Sequence, residues 1–262
     1  MKAVILAAGE GKRLRPLTTD KPKCLVPLFG KTLLAQLIET LRGAGITDIT
    51  VVAGYGHEQV TEAAPGCKVA LNRNYARSNM VTTLFCAPDL FRNNGDDLVV
   101  SYSDILYEHK AIDALINCDA PVALAVNQDW LTLWQQRMED VLSDAETMKL
   151  NQQGLILELG KKANSLDEVQ GQYMGLFKVR ADHVQKLRSA YDAMDRMDIY
   201  DGQTFENLYM TSFLQHLINL GWPIKAAPVH GGWLEVDTID DWRLYQDLAE
   251  RGTLDLIYRK AR

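Results

Sequence analysis

A glycine-rich segment near the front of the chain combines two features that polyphosphate binding requires. The apolar run Ala3–Leu6 gives way at once to residues 7–13, AAGEGKR. Small residues allow the backbone to lie close to phosphate oxygens, and the cations that follow neutralise their charge. A tight turn after a strand would also account for the two glycines taken alone. The segment lacks both the Gly-Lys-Ser/Thr of a P-loop and the third glycine of a dinucleotide-binding turn.

The longer string around these glycines resembles the signature of the nucleotidyltransferases that activate sugar 1-phosphates and phosphocholine. It reads L-A-A-G-x-G-x-R-L-x-P-L-T from Leu6 to Thr18, and the pair Pro22-Lys23 follows. The resemblance implies that Arg13 and Lys23 are catalytic and contact the triphosphate. The nucleotide-binding loop that it implies consists of Leu6, Ala7, Ala8, Gly9, Glu10, Gly11 and Lys12, and Lys12 is also explained as a solvated surface cation.

Nucleotidyl transfer brings two anionic reactants together. A phosphate oxygen of the acceptor attacks the α-phosphorus of a nucleoside triphosphate, and pyrophosphate leaves. An enzyme for this reaction must neutralise charge and align the two reactants in line. Mg²⁺ held by one or two carboxylates and by the substrate phosphates normally contributes. The cofactor that we expect is therefore Mg²⁺.

Two aspartates stand where the resembling family holds its metal. Asp104 follows the apolar run Leu98–Tyr102, and Asp237 lies in the string WLEVDT at positions 233–238. The resemblance implies that both are metal ligands. Ser103, which stands where relatives carry Gly or Ala, is assigned to the nucleotide site. Helix capping is the alternative role for each aspartate.

The choice of base is suggested by residues 72–80, NRNYARSNM. Relatives that use UTP or dTTP carry Q-P-x-G-x-A before the metal strand, whereas this stretch resembles the N-x-x-Y-x-x-x-N pattern of the phosphocholine cytidylyltransferase branch. The amide of Asn79 can both donate to and accept from cytosine, although capping of a helix near Met80 explains it as well. Gly54 is assigned to the base pocket by position alone.

Tryptophans and an arginine in the second half are candidates for the acceptor site. Trp130 and Trp134 are four residues apart and would share one helix face. With Asp129 they would form a cation–π and carboxylate pocket for an amine, and packing is the plainer alternative. Arg137 would instead suit an acceptor that carries its own carboxylate.

Two further acceptor residues are implied by the family resemblance. Lys161 lies where sugar-activating relatives carry a lysine that touches the acceptor phosphate, and Lys162 competes for this role. Tyr173 lies in QYMG at 172–175, which resembles the glycine-bearing strand under the acceptor. We therefore interpret residues from about 128 to 180 as an acceptor-binding lobe within a single domain of residues 1–262.

The elements that must position these residues alternate between strands and helices. This order predicts an α/β fold with a mostly parallel, Rossmann-like mixed sheet flanked by helices, as in GT-A-like nucleotidyltransferases. Ligands of such sheets bind beyond the carboxyl ends of the strands, where the glycine loop and Asp104 would meet. Predicted strands are Lys2–Leu6, Ile49–Ala53, Val69–Leu71, Leu98–Tyr102, Val122–Val126, Met148–Leu150, Leu155–Leu159, Gln172–Val179 and Ile224–Pro228, and predicted helices include Leu33–Leu41, Ala181–Met194, Phe205–Leu220 and about Asp240 to Glu250.

Composition narrows the class of protein further. The 262 residues carry a net charge of -6, which argues against a general nucleic-acid binder. No apolar run approaches the ~20 residues of a membrane-spanning helix. The four cysteines form no C-x-x-C pair and are expected to be free thiols. Since no signal peptide is recognisable, we expect a cytoplasmic protein without nucleic-acid or membrane partners, and the sequence leaves a homodimer open.

The main hypothesis is a Mg²⁺-dependent cytidylyltransferase. It would transfer CMP from CTP to a small phosphorylated or phosphonate acceptor, such as phosphocholine, aminoethylphosphonate or an amino-acid phosphate, and release pyrophosphate. One alternative is a sugar-1-phosphate nucleotidyltransferase that uses UTP, dTTP or GTP. Another is a non-catalytic nucleotide-sensing module that has kept the fold.

Overall fold

The computed structural model describes residues 1–92 and 95–259, in which strands and helices alternate as predicted. The strands are β1 (Lys2–Ala7), β2 (Pro27–Leu28), β3 (Lys31–Thr32), β4 (Asp48–Ala53), β5 (Lys68–Leu71), β6 (Leu98–Tyr102), β7 (Ile105–Tyr107), β8 (Val122–Asn127), β9 (Glu146–Leu150), β10 (Ile156–Lys162), β11 (Gln172–Val179), β12 (Ile199–Tyr200), β13 (Gln203–Thr204), β14 (Ile224–Val229) and β15 (Trp233–Glu235). The helices are α1 (Leu33–Gly43), α2 (His57–Ala63), α3 (Met80–Phe85), α4 (His109–Asn117), α5 (Trp130–Arg137), α6 (Ala181–Asp192), α7 (Met210–Asn219) and α8 (Ile239–Glu250).

The central sheet of the described chain has seven strands in the order β14-β8-β11-β6-β1-β4-β5. Its neighbours are parallel except at β11, which runs antiparallel to both β6 and β8. The predicted α/β fold with a mostly parallel mixed sheet is therefore confirmed.

Burial on both faces of this sheet explains its apolar strands. All six residues of β1 are buried, because successive side chains point to opposite faces and helices cover each face. Ala3 and Ile5 join a cluster with α1, α4, α5 and α8. Val4 and Leu6 join a second cluster with α3, α6 and α7. The sheet thus separates two hydrophobic cores.

Helix α1 illustrates how local sequence sets an element. Thr32 is its N-cap and accepts a hydrogen bond from the backbone N–H of Ala35 at 3.1 Å. The apolar residues at helical spacing, Leu34, Leu37, Ile38 and Leu41, are all buried, as the periodicity predicts.

A small two-stranded sheet lies beside the carboxyl end of β6. In it β7 and β15 pair antiparallel, with Ile105 opposite Glu235. The backbone N–H of Val236 donates to the carbonyl oxygen of Asp104 at 2.8 Å. This pairing brings two segments that are far apart in the sequence to the edge at which β1 and β6 end.

Residues 128–180 contain helix α5, the predicted hairpin and a strand of the central sheet. The hairpin consists of β9 and β10, which pair antiparallel. It is tied to α7, since the N–H of Leu159 donates to Oε1 of Gln215 at 3.0 Å. Strand β11 lies between β8 and β6, so this segment and the central sheet share a strand.

The cysteines and the helix lengths bear on two expectations from composition. All four cysteines are free thiols. None of the helices within residues 1–92 and 95–259 has the length and apolarity needed to cross a membrane.

Candidate active site

The ammonium of Lys23 lies between two carboxylates at the carboxyl edge of the sheet. Its Nζ donates to Oδ2 of Asp104 at 2.8 Å and to Oδ1 of Asp237 at 2.6 Å. Asp104 follows β6, and Asp237 follows β15, so the pairing of β7 with β15 brings the two acids together. The Lys23 side chain is only 12% exposed. A largely buried cation therefore occupies the position between the two predicted metal ligands.

Burial and charge act in opposite directions on the pKa of Lys23. Burial alone would lower it, but the carboxylates of Asp104 and Asp237 outweigh burial and raise it above its ordinary value. Burial would likewise raise the pKa of Asp237, whereas Lys23 and then Arg13 hold it below its ordinary range. The lysine is therefore charged and Asp237 is ionised at neutral pH.

The glycine loop brings Lys23 to this position. Gly11 has a φ of 70°, in the left-handed region that glycine adopts readily. A Cβ at this position would lie 2.7 Å from Cβ of Lys23. The hydroxyl of Thr18 donates to the carbonyl oxygen of Gly11 at 2.7 Å and secures the turn. Glycine is therefore required at this position both by the backbone and by the neighbouring lysine.

Arg13 extends from the same loop toward the acids. Its Nη2 lies 3.2 Å from Oδ1 of Asp237, and 68% of its side chain is exposed. Lys12 is also exposed and lies 3.3 Å from Oε2 of Glu10. Arg13 thus reaches the centre of the site, whereas Lys12 pairs at its margin.

Two adjoining cavities follow the glycine loop. The smaller one, about 120 Å³, is lined by Leu6, Ala8, Gly9, Asn79 and Ser103 among others. The other, about 360 Å³, is lined by the loop from Gly9 to Arg13. Lys23 and Asp104 line both cavities. The predicted nucleotide residues are therefore brought together around the Lys23 ammonium.

Two predicted nucleotide residues support this loop from behind. Ala7 is buried at the end of β1, in register with Ala53 of β4. Gly54 follows β4, and a Cβ there would lie 2.8 Å from the backbone oxygen of Ala8 and 2.6 Å from Cβ of Tyr75. The absence of a side chain at Gly54 therefore allows its backbone to lie close to both Ala8 and Tyr75.

The capping roles left open by the sequence are now decided. Oδ1 of Asn79 accepts from the N–H of Met80 at 2.8 Å, so Asn79 caps α3. Its amide nitrogen lies 3.4 Å from the carbonyl oxygen of Asn207. The alternative that the two aspartates cap helices is wrong. The N-cap of α8 is Thr238 and not Asp237, and the N-cap of α4, the first helix after Asp104, is Glu108.

A larger cleft of about 720 Å³ opens on the other side of the acids. Arg13 and Asp237 line it and also line the loop cavity, so the two spaces meet at these residues. Lys161 and Lys162 line the cleft as well, and Nζ of Lys161 lies 2.7 Å from Oε2 of Glu158. Tyr173 lines it from β11, edge-to-face with Tyr102 at a ring separation of 5.8 Å.

The two tryptophans of α5 differ in their relation to this cleft. Trp134 lines it and stacks on Trp233 at a ring separation of 5.4 Å. Trp130 is buried in the core and contacts Trp134 edge-to-face at 6.0 Å. Asp129, the proposed carboxylate of their pocket, instead lies 3.1 Å from the ring nitrogen Nδ1 of His230. The packing alternative therefore describes Trp130 better than a contact with acceptor.

Arg137 is placed behind the cleft wall. Its guanidinium donates to Glu235 at 2.7 Å and to Asp241 at 2.9 Å, and only 2% of its side chain is exposed. Its charge is therefore already paired with two carboxylates of the chain, an arrangement that sequence reasoning did not reveal.

Sequence reasoning also missed two carboxylates in the cleft. Asp144 and Glu146 both line it. Burial raises the pKa of Glu146 to about 7, and the charge of Asp144 adds to this effect. Burial likewise raises the pKa of Asp144. Nothing in the local sequence distinguishes these residues from the neighbouring acids Glu139 and Asp140.

Asp104 and Asp237 have a donor set that suits Mg²⁺. This ion is commonly bound through one or two carboxylates, waters and substrate phosphates. Oδ1 of Asp104 is buried and accepts no hydrogen bond from the described residues. No group of three or more His, Cys, Asp or Glu side chains is arranged to hold a metal anywhere in those residues, so the protein offers the ion two carboxylates at this site. Two carboxylates, one of which has an unpaired oxygen, thus fit a cation whose coordination is completed by substrate oxygens.

Comparison with known proteins identifies the family of the chain. The chain matches the MobA-like NTP transferase domain over residues 3–162. The CTP:phosphoglutamine cytidylyltransferase of Campylobacter jejuni is 42% identical over 247 residues, which cover 92% of this chain and 97% of that protein. The choline-phosphate cytidylyltransferase of Streptococcus pneumoniae is 40% identical over 96 residues, or 36% of this chain and 42% of that protein.

A solved structure shares the fold over nearly the whole chain. The CTP:phosphocholine cytidylyltransferase from Streptococcus pneumoniae superimposes with a TM-score of 0.72 at 22% identity, covering 95% of this chain and 98% of that one. The predicted resemblance is confirmed by the family match and by the relative in Campylobacter jejuni. The chain belongs to the MobA-like NTP transferase family and is a nucleotidyltransferase.

Proposed function

We propose that this nucleotidyltransferase transfers CMP from CTP to a small phosphorylated acceptor and releases pyrophosphate. The observation that carries the proposal is the position of Lys23 between Asp104 and Asp237. All three residues line the loop cavity, and Asp237 also lines the larger cleft. Two anionic reactants that enter from the two sides would therefore meet beside fixed cations.

The residues of the chain then have distinct roles. The backbone of the loop from Ala8 to Lys12 approaches the triphosphate, as small residues permit. Arg13 and Lys23 donate to its oxygens and stabilise the charge that develops as pyrophosphate leaves. The acceptor phosphate enters from the larger cleft, where Lys161 or Lys162 holds it. Alignment and charge neutralisation suffice, and no side chain needs to be modified covalently.

Mg²⁺ fits this proposal as the cofactor, with Asp104 and Asp237 as its protein ligands. When bound, the ion supplies positive charge to phosphate oxygens. Lys23 is held by the same two carboxylates, so its ammonium and the ion share the same pair of ligands. The unpaired Oδ1 of Asp104 is the oxygen that we assign to the ion.

The choice of CTP and of the acceptor is supported by the relative in Campylobacter jejuni, which covers 92% of this chain. The name of that protein gives CTP and phosphoglutamine as its substrates. We therefore propose an amino-acid phosphate as the acceptor in preference to phosphocholine or aminoethylphosphonate. Residues 72–79 support CTP, since they lack the segment typical of UTP and dTTP enzymes.

Pyrophosphate release tests the proposal. CTP, UTP, dTTP, ATP and GTP are each combined with phosphoglutamine, phosphocholine, aminoethylphosphonate and glucose 1-phosphate in the presence of Mg²⁺. We expect release with CTP and phosphoglutamine. Asp104→Asn should abolish it while CTP binding is retained, and Asp89→Asn, at an exposed site whose partner is Arg92, should not. Release with glucose 1-phosphate alone would overturn both the base and the acceptor.

A further inference from the structure

The guanidinium of Arg137 is enclosed by an aromatic face and two carboxylates. Its Nη1 donates to Oε2 of Glu235 at 2.7 Å, and its Nε donates to Oδ1 of Asp241 at 2.9 Å. Its Cζ lies 4.9 Å from the centroid of the Trp134 ring. We call Trp134, Glu235 and Asp241 the cation cage. The cage and its occupant both come from this chain.

The cation cage forms part of the wall of the larger cleft. Trp134 and Glu235 line that cleft, whereas Arg137 approaches them from behind, at the end of α5. An aromatic face beside a carboxylate is also the arrangement with which proteins bind alkylammonium ligands. A choline-like group bound at this wall of the cleft would therefore have to use the two groups that already hold Arg137.

Arg137 competes for these groups on favourable terms. A guanidinium offers five N–H donors in a planar fork, whereas a quaternary ammonium offers none. Removing one partner of a buried ion pair leaves an uncompensated charge and is strongly destabilising. A ligand that displaced Arg137 would leave Asp241, which is buried, without its cation. The cage is therefore closed to a cation from the cleft.

We propose that Arg137 determines acceptor specificity by filling the cation cage with the chain's own charge. Acceptors whose quaternary ammonium must bind at the wall formed by Trp134 and Glu235 are then rejected, whereas acceptors that do not need a cation site at this wall, such as an amino-acid phosphate, are accepted. The conclusion about acceptors rests on the proposed function, because it takes the larger cleft to be the acceptor site. The prediction that Arg137 blocks cation binding rests on the contacts alone.

The prediction that Arg137 blocks cation binding can be tested by direct binding measurements, which do not depend on turnover. Arg137→Ala removes the guanidinium and leaves the cage in place. We expect the variant to bind methylguanidinium and tetramethylammonium at least ~10-fold more tightly than the unmodified protein, a difference of about 1.4 kcal/mol, as measured by calorimetry. The matched double variant Arg137→Ala/Glu235→Gln should lose this gain, because the carboxylate on the cleft side is then neutral.

Two further measurements apply if Arg137→Ala fails to fold. Arg137→Ser removes the charge and most of the side-chain volume but keeps a hydroxyl that can bond water or a carboxylate, and added methylguanidinium should raise its Tm while leaving the Tm of the unmodified protein unchanged. The unmodified protein should also use phosphocholine at least ~10-fold less efficiently than its best acceptor, judged by kcat/KM. Equal use of phosphocholine would overturn the proposal.

The outcomes separate this inference from the proposed function. A folded Arg137→Ala variant that binds CTP but gains no affinity for either cation overturns the inference, whether or not the protein transfers CMP. A gain in cation affinity, lost again in the double variant, supports the cage even if no acceptor yields pyrophosphate. In that case it is the proposed reaction that fails.

Discussion

Lys23 keeps two carboxylates together that would otherwise repel each other. Asp104 and Asp237 both bond its ammonium, and the turn at Gly11 packs closely against the lysine side chain. Its charge therefore has two roles, since it stabilises the folded site and faces the space where a triphosphate would lie. Both roles can be tested by replacing Lys23 with a side chain of similar length that carries no charge.

Lys23→Met should reduce pyrophosphate release by at least ~10²-fold, the scale of one transition-state donor. The pKa of Asp237 is held low chiefly by Lys23, so the variant loses a contribution to stability that is present at neutral pH and disappears as the pH falls through that pKa. Urea unfolding should therefore show the largest difference from the unmodified protein near neutral pH. Lys21→Met, at a more exposed neighbouring lysine, is the control and should change neither pyrophosphate release nor the free energy of unfolding. If Lys23→Met lowered the free energy of unfolding equally at all pH values, Lys23 would not be what holds the pKa of Asp237 low.

The motif spacing anticipated which residues meet, but not the partners supplied by remote segments. Arg13, Lys23, Asp104 and Asp237 come together as the resemblance implied, although their roles stay predictions. Arg137 is different, because its partners Glu235 and Asp241 lie about a hundred positions away in the sequence. No local pattern indicates such a pair, so the sequence left its charge available for a ligand.

The elements around Asp237 fix its position through backbone hydrogen bonds. The N–H groups of Asp237 and Thr238 both donate to Oδ2 of Asp241, at 3.0 and 2.8 Å. Thr238 in turn caps α8 by accepting from the N–H of Asp241 at 3.1 Å. This capping box orders the turn that carries Asp237, and its loss should therefore affect activity as well as stability.

Thr238→Ala should lower the free energy of unfolding by about 1 kcal/mol, the usual cost of a lost N-cap. Thr32→Ala removes the equivalent cap of α1, far from Asp237 in the sequence, and should cost a similar amount. Only Thr238→Ala should also reduce kcat for pyrophosphate release, because only its cap orders the turn at Asp237. Equal kcat values in the two variants would show that the capping box has no part in placing this carboxylate.

Long, strongly patterned elements could be predicted from the sequence, whereas short ones could not. Strand β1 and helix α1 are close to their predicted bounds because apolar runs and helical spacing are unambiguous there. Strands β7 and β15 were missed, since three residues show no period. They nevertheless hold Asp104 and Asp237 side by side, so the element that completes the site had no readable signal.

At the scale of the molecule, the site joins two parts of the chain. The glycine loop and Asp104 come from the first part, and the hairpin of β9 and β10 supplies cleft residues from the second. Glu146 on β9 is partly buried and close to the charge of Asp144, while Glu158 on β10 is held by Lys161 and Lys149. One hairpin therefore carries two glutamates whose pKa values are shifted in opposite directions, and both shifts contribute to the pH dependence of unfolding.

Glu146→Gln should change how stability depends on pH between pH 4.5, the ordinary pKa of Glu146, and about 7, its pKa in the folded chain. Over that range the folded protein keeps a proton that the unfolded chain releases, so stability falls as the pH rises. The variant lacks this loss and should be more stable above pH 7 by roughly 1–3 kcal/mol. Glu158→Gln is the opposite control, because the pKa of Glu158 is lowered to about 2 and its contribution is lost only in acid. If the free energies of unfolding of Glu146→Gln and of the unmodified protein changed in parallel with pH across this range, burial would not be raising the pKa of Glu146.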